Sequence, residues 1–140
     1  MAALIPELYC SAFGVSLDFY TRVLGFTVLY QREEEGFAML ERQGAKLMLD
    51  TIDPKSSRSW ITGDMDYPFG RGINFQIETT DVVALHAQVE KSDAHIFLPL
   101  EEKWYRANDV YVGNKQFIVL DPDGYMLRFF EDIGTRAEPA

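Results

Sequence analysis

The sequence has little of three things: cysteine, long apolar runs and positive charge. Its one cysteine, Cys10, cannot form an internal disulfide, and its apolar neighbours favour a buried thiol in a reducing compartment. No apolar run approaches the roughly 20 residues that a helix needs to cross a membrane. Met1-Ala2-Ala3 is interpreted as the start of a strand rather than of a signal peptide. These absences predict a cytoplasmic protein with no membrane partner.

Negative charge exceeds positive charge over the chain as a whole. Lys and Arg total 13 against 22 Asp and Glu, which gives a net charge of -9 and a pI near 4.6. A domain this acidic repels phosphate backbones, so nucleic acid is not expected as a partner. Two interpretations stay open: the acidity serves solubility, or it attracts a cationic ligand.

The pattern of apolar residues repeats one order of elements twice. With 140 residues, of which 47% are hydrophobic, the chain can bury the core of one domain. Each half is predicted to contain a strand, a helix and three strands. The predicted strands are residues 4–10, 26–31, 37–42, 46–51, 73–78, 95–100, 115–120 and 125–131. The predicted helices are residues 16–24, ended by Gly25, and a helix capped by Thr80.

The same pattern sets the predicted boundaries within this single domain, 1–140. Module 1 covers about 1–52 and module 2 about 72–132. A linker rich in Pro, Ser, Gly and Asp joins them over about 53–71. A short C-terminal tail follows, and residues 137–140 are expected to fray.

A sheet with a helix on only one face can curl toward its other face. We therefore expect an α+β fold in which two βαβββ modules form a cup-shaped open sheet, with the binding site inside the cup. Period-2 alternation then separates the residues of each strand into two faces. The expected helix-facing residues of the strand at 73–78 are Ile73, Phe75 and Ile77. The expected cup-facing residues are Glu7, Tyr9, Asn74, Gln76, Met126, Arg128 and Phe130.

Three short motifs, taken together with the repeat, indicate a family. Asp18-Phe19-Tyr20, Leu24-Gly25-Phe26 and Asp121-Pro122-Asp123-Gly124-Tyr125 resemble those of the vicinal oxygen chelate superfamily of glyoxalases, dioxygenases and bleomycin resistance proteins. The resemblance covers nearly the whole chain and implies the cup-shaped fold. Because this fold carries many activities, function has to be argued from individual positions.

The metal-ligand positions of that superfamily argue against a metal here. Metal-dependent members take His or Glu ligands from the first and fourth strands of each half, and those positions fall at Ile5, Asp50, Gly72 and Arg128. One carboxylate does not hold a catalytic ion, and a guanidinium would repel a dication by several kcal/mol at an effective dielectric of ~20. His86 and His95 lie outside the ligand positions. We expect no metal and no other cofactor.

Asp50 and Arg128 occupy positions that converge in the resembled fold, so an ion pair between them is predicted. Such a pair would either be structural or leave Arg128 to hold a ligand carboxylate or carbonyl.

Without a metal, the chain resembles the bleomycin resistance branch, also in Leu47-Met48-Leu49-Asp50. That resemblance implies a homodimer whose site is shared between chains, often with the N-terminal strand exchanged. It also implies a groove with aromatic faces and acidic groups for a large cation. Aromatic candidates outside the predicted elements are Trp60, Phe69, Trp104, Tyr105 and Tyr111. Glu101 and Glu102 are either an ordinary solvated pair or part of an acidic rim.

The sequence thus predicts a metal-free protein that sequesters a bleomycin-type glycopeptide antibiotic or a similar aromatic cation. The alternative is a lyase, isomerase or dioxygenase of the same superfamily, with Glu7 or Asp50 as acid or base. A third possibility is an interaction module that accepts a partner segment. No catalytic residue is assigned. The predicted ligand-binding residues are Glu7, Tyr9, Asp50, Trp60, Asn74, Gln76, Trp104, Tyr111 and Arg128.

Overall fold

A computed structural model describes residues 2–56 and 58–138. In the first half the elements are β1 (Glu7–Cys10), α1 (Phe13–Asp18), which continues as a π-helical turn (Phe19–Val23), β2 (Thr27–Arg32), a 3₁₀ turn (Glu33–Glu35), β3 (Phe37–Arg42) and β4 (Ala45–Thr51). In the second half they are β5 (Asn74–Glu78), α2 (Val82–Glu90), β6 (His95–Ala107), β7 (Val110–Leu120) and β8 (Met126–Arg136). Across these residues no helix is both long and apolar enough to cross a membrane.

The strands form two four-stranded mixed sheets with the same topology. Sheet A has the order β1-β4-β3-β2 and sheet B the order β5-β8-β7-β6. β1 pairs in parallel with β4, and β5 pairs in parallel with β8. All other neighbouring strands in these orders pair antiparallel. The predicted α+β fold with two βαβββ modules is therefore confirmed.

The chain divides into two compact units. Unit 1 comprises Met1–Gly72 together with Asp121–Tyr125, and unit 2 comprises Ile73–Leu120 with Met126–Ala140. The turn that joins β7 to β8 thus packs with the first half of the chain rather than with its own strands. The segment between β4 and β5 has neither helix nor strand in its described residues.

Each unit has its own core between the helix and one face of the sheet. In unit 1, Tyr20 is fully buried and makes edge-to-face contacts with Phe19 and Phe26. In unit 2, Phe117 and Phe129 stack with ring centroids 5.8 Å apart, and the ring of His86 on α2 meets Phe117 edge-on. In the described part of each unit, the other face of the sheet carries no helix, and we call it the open face.

Several predicted boundaries are wrong by a few residues. The first strand begins at Glu7 rather than near the N-terminus, and α1 begins at Phe13 rather than Ser16. Asp81, not Thr80, caps α2 by accepting a hydrogen bond from the Ala84 N–H at 3.0 Å. Ile73, predicted to face the helix, precedes β5 and is 53% exposed. Of the predicted frayed tail, residues 139–140 lie outside the described residues.

Candidate functional site

The parallel pairing of β1 with β4 builds the candidate site of unit 1. In this register Glu7 lies beside Met48, and Tyr9 lies beside Asp50. The alternate residue Leu8 is buried, which places Glu7, Tyr9 and Asp50 together on the open face of sheet A. The period-2 pattern therefore agrees with the structure for Glu7 and Tyr9 on β1.

A cavity of about 440 Å³ opens above these three residues. Its acidic lining residues are Glu7, Glu34, Glu35, Asp50 and Asp53, and its basic lining residues are Arg32 and Arg58. The remaining lining residues are Tyr9, Thr51, Ser56, Ser59 and Trp60. Five carboxylates against two guanidinium groups make the cavity acidic, and a cation is the ligand charge that it favours.

Glu7 and Asp50 form a pair of neighbouring carboxylates. Partial burial of Glu7, and then the charge and hydrogen bonding of Asp50, raise the pKa of Glu7 above its ordinary value. A hydrogen bond from the Trp60 side chain and the charge of Arg32 act in the opposite direction. The sequence did not reveal this pairing, because Glu7 and Asp50 are 43 positions apart and meet only through the β1–β4 register.

Trp60 lies at the rim of the cavity and is 54% exposed. Its backbone N–H donates to the Tyr9 hydroxyl at 3.1 Å, which holds this part of the linker against β1. The Arg58 guanidinium lies 5.2 Å from the centroid of the Trp60 ring. The structure thus brings four of the predicted ligand-binding residues together in unit 1: Glu7, Tyr9, Asp50 and Trp60.

The Asp-Pro-Asp-Gly turn supports this site from behind. Asp123, which is buried, accepts hydrogen bonds from the backbone N–H and the hydroxyl of Ser11, directly after β1. The Tyr125 hydroxyl donates to the Tyr9 carbonyl at 3.0 Å. The turn therefore holds the end of β1 that carries Tyr9, a role that its hairpin composition did not indicate.

Asp121 is the second buried carboxylate of the turn. It accepts from the Tyr20 hydroxyl at 2.8 Å and from the backbone N–H groups of Asp123 and Tyr125 at 2.9 and 3.0 Å. Burial outweighs these hydrogen bonds and raises the pKa of Asp121 to about 6. The carboxylate thus closes its own turn, an arrangement that Asp favours.

Unit 2 holds three further predicted residues on the open face of sheet B. Gln76 lies beside Arg128 in the parallel register of β5 and β8, and the Arg128 Nη2 donates to the Gln76 Oε1 at 2.6 Å. Asn74 is exposed two residues earlier on β5. The predicted ion pair between Asp50 and Arg128 would join residues of the two units, and it stays a prediction.

Trp104 and Tyr111 were predicted in a loop, and that prediction is wrong. Trp104 lies in β6, where its ring packs against Gly113, and Tyr111 lies in β7 opposite Arg106. The Arg136 guanidinium covers the Trp104 ring at 4.2 Å from its centroid. Trp104 therefore serves the packing of sheet B in unit 2, and its neighbour Tyr105 is also a strand residue.

The residues present do not fit the metal that the fold is associated with. Ile5 and Gly72 offer no ligating side chain at two of the four positions. Among residues 2–56 and 58–138, no group of three or more His, Cys, Asp or Glu side chains could hold a metal ion. The His86 Nδ1 lies 3.5 Å from the Glu90 Oε1 on α2, and His95 is the first residue of β6.

Comparison with known proteins agrees with the fold and the motifs. The sequence profile of the Glyoxalase/Bleomycin resistance protein/Dioxygenase superfamily matches residues 6–129. A bleomycin resistance protein of Geobacillus stearothermophilus is 26% identical over 138 residues, which cover 92% of this chain and 96% of the relative.

Two crystal structures share the fold at low sequence identity. A protein of unknown function from Agrobacterium tumefaciens C58 has a TM-score of 0.70 and 23% identity, with 94% of each chain covered. TioX from Micromonospora sp. ML1 has a TM-score of 0.68 and 20% identity, with 99% of this chain and 100% of TioX covered. The match over residues 6–129 decides the family. This chain belongs to the glyoxalase/bleomycin resistance protein/dioxygenase superfamily.

Proposed function

We propose that this protein binds and sequesters an aromatic cation, such as a bleomycin-type glycopeptide antibiotic, without a metal ion or other cofactor. The observation that carries the proposal is the acidic cavity of unit 1, where the half-exposed Trp60 lies beside the carboxylates of Glu7 and Asp50. An aromatic ring can stack on Trp60 while an attached cation meets the two carboxylates.

The charge of the cavity explains why a cation is preferred. Two neighbouring ionised carboxylates repel each other, and the charge of Asp50 is one of the causes of the raised pKa of Glu7. A cation that contacts both Glu7 and Asp50 replaces this repulsion with attraction. A neutral ligand leaves the repulsion in place, and an anion adds to it.

The relatives support a small-molecule ligand. The bleomycin resistance proteins of Geobacillus stearothermophilus and Staphylococcus aureus match over nearly their full length, at 26% identity. From this similarity we infer a ligand of the bleomycin type for this chain. We infer no individual contact between the ligand and a residue.

Calorimetric titration of the purified protein with metal-free bleomycin tests the proposal. We expect saturable binding at one drug per chain in the absence of metal. Titrations with zinc, nickel and iron(II) alone are expected to show no tight binding. No heat of binding from the drug, together with tight binding of one of the metals, would refute the proposal.

Two matched variants locate the binding. Trp60→Ala removes the proposed stacking surface and should weaken drug binding by roughly tenfold or more. Phe97→Ala, on β6 of unit 2, removes an aromatic side chain of the same 54% exposure and should leave binding unchanged. Equal losses in both variants would place the drug elsewhere.

A second candidate function is acid–base catalysis in the same cavity. It is favoured by the raised pKa of Glu7 beside Asp50, because such a pair can hold one proton donor and one base. The two functions differ in what becomes of the ligand. Chromatography and mass spectrometry after long incubation should recover the drug unchanged, whereas conversion to a product would establish the enzyme.

We further propose that the protein is a cytoplasmic homodimer whose sites are shared between chains. In support, Val28, Leu29 and Tyr30 are exposed in succession on β2, at the edge of sheet A. Light scattering should give twice the 16.0 kDa of one chain. Leu29→Glu should shift the wild-type dimer toward the monomer, and a monomeric wild-type protein would disprove this proposal.

A further inference from the structure

Gln116 on β7 is an unusual buried polar residue. Its side chain is on the open face of sheet B, opposite the Phe117 side chain that packs toward α2, and only 1% of the residue is exposed. The Gln116 Nε2 donates to the Glu101 Oε2 and to the Tyr105 hydroxyl, each at 2.8 Å. Because an ionised carboxylate only accepts hydrogen bonds, Glu101 fixes the amide with its nitrogen toward β6.

The other end of this amide is left without a protein partner. The Gln116 Oε1 is buried and accepts no hydrogen bond from the residues that the structure describes. A buried carbonyl oxygen without a donor is costly, and folded proteins rarely retain one without a reason. Because the hydrogen bonds of Nε2 fix the amide, rotating it cannot give the Oε1 a donor without breaking them.

A buried hydrogen-bond donor without a partner among the described residues lies on the neighbouring strand, β8. The Arg128 Nε is buried with no acceptor among the described residues, although its Nη2 is bonded to Gln76. In the antiparallel register of β7 and β8, Arg128 lies opposite Ile118, and Gln116 lies opposite Phe130. Gln116 and Arg128 are therefore diagonal neighbours on one face, within reach of a single small group.

We propose that this face of unit 2 is a second recognition site, which binds a neutral group carrying a hydrogen-bond donor and an acceptor side by side. The Gln116 Oε1 accepts from the N–H or O–H of the ligand, and the Arg128 Nε–H donates to its oxygen. A carboxamide and a hydroxyl share this chemistry. A carboxylate has no donor for Gln116 and would face the charge of Glu101, and an ammonium group has no acceptor for Arg128.

This site is carried by unit 2 and differs from the acidic cavity of unit 1 in its chemistry. It is built by β6, β7 and β8 of unit 2 and selects hydrogen-bonding groups, whereas the cavity of unit 1 selects positive charge. Arg128 is only partly buried as a residue, so a small group can approach its Nε from the exposed side of the side chain. The proposal does not require that unit 1 bind a drug.

A titration of the full chain with small probes tests the proposal. The readout is the ¹H–¹⁵N NMR signal of the Gln116 side-chain amide and of the Arg128 Nε–H. Acetamide represents the carboxamide source and ethylene glycol the hydroxyl source, and at least one of them should shift both signals saturably. N,N-dimethylacetamide, which lacks a donor, and acetate should not. If neither acetamide nor ethylene glycol shifts the signals saturably, or if all four probes act alike, the proposal is wrong.

Variants separate recognition from a structural role. Gln116→Met keeps the length of the side chain and should abolish the acetamide or glycol response of the Arg128 signal. Gln88→Met, at an exposed position on α2, should leave that response unchanged. Arg128→Lys keeps the charge but removes the Nε–H, so it should weaken the response of the Gln116 amide by about two- to tenfold. A wild-type response retained in Gln116→Met or Arg128→Lys would overturn the site, as would a response lost in Gln88→Met.

Discussion

Glu7 links the acidity of the cavity to pH. Its pKa is raised mainly by partial burial and then by Asp50, so it takes up a proton at a higher pH than an ordinary glutamate. Protonated Glu7 no longer attracts a cation. We therefore expect the affinity for N-methylquinolinium, an aromatic cation of constant charge, to fall as the pH is lowered from 7 to 5.

A pair of isosteric variants assigns this pH dependence to Glu7. Glu7→Gln should bind N-methylquinolinium more weakly than wild type at pH 7 and should lose most of the change between pH 7 and pH 5. Glu34→Gln, which also lines the cavity, should keep the wild-type pH dependence. Calorimetry at three pH values measures both, and an unaltered pH dependence in Glu7→Gln would exclude Glu7 as the titrating group.

Asp121 predicts a pH dependence of stability with a definite sign. Its folded-state pKa of about 6 lies above the value of about 4 in an unfolded chain, so protonation favours the folded state. The contribution is fully present below about pH 4 and is lost as the pH rises through about 6. It amounts to roughly 2–3 kcal/mol of unfolding free energy.

Asp121→Asn isolates this contribution from those of the other carboxylates. Urea unfolding at pH 4 and pH 7 gives the stability of wild type relative to Asp121→Asn. That relative stability should be higher at pH 4 by on the order of 2 kcal/mol. A difference that is independent of pH would mean that Asp121 titrates normally in the folded protein.

At the scale of residues, the sequence predicted which side chains share a face but not which of them touch. Alternation placed Glu7 and Tyr9 on one face because β1 is regular and has one buried face, and the ligand position of the resembled superfamily added Asp50. The Glu7–Asp50 contact and the hydrogen bonds of Gln116 depend on strand register, which a single sequence does not encode locally. The buried state of Asp121 depends on where its turn packs.

At the scale of elements, the strand predicted over residues 95–100 is longer in the structure, where β6 continues to Ala107. The sequence places Pro99 near the end of the predicted strand, and proline cannot donate to a sheet ladder. In the structure β6 is an edge strand, and register shifts between Ile96 and Leu98 and between Leu98 and Glu101 carry it past the proline. The extension places Trp104 and Tyr105 in the sheet.

Two glycines in different elements predict opposite effects of the same substitution. A Cβ at Gly113 would lie 2.7 Å from two ring atoms of Trp104 and 2.8 Å from Ile133. Gly113→Ala should therefore destabilise the protein by about 1–3 kcal/mol, since the β6–β7 contact cannot relax without moving a packed indole. Chemical denaturation followed by Trp fluorescence measures the change.

Gly14 in α1 is the matched control. A Cβ there meets no atom within 4 Å, and its φ is not in the left-handed region. Gly14→Ala should stabilise the protein by roughly 0.5–1 kcal/mol, because alanine loses less backbone entropy in a helix. If Gly113→Ala were as stable as Gly14→Ala, the packing of Trp104 on Gly113 would not contribute to the fold.

At the scale of the whole molecule, the two units share one topology but present different open faces. The face of sheet A carries Glu7 and Asp50, and that of sheet B carries Gln76, Gln116 and Arg128. Because the helix side of each sheet fixes the core, the open faces are free to differ in chemistry. The repeat therefore constrains the fold strongly and the ligand weakly.

The net charge of -9 makes a final prediction about the whole molecule. Exposed charges act over about one Debye length, roughly 10 Å at 0.1 M salt, so long-range attraction of a cation is lost as salt rises. The association rate of N-methylquinolinium should fall by about threefold or more between 20 and 200 mM NaCl, whereas that of neutral quinoline should not change. Asp93→Lys, at an exposed position of unit 2, should lower the rate at 20 mM NaCl without altering the rate at 200 mM. Stopped-flow tryptophan fluorescence measures these rates. A salt-independent rate for the cation would mean that only the carboxylates of the cavity attract it.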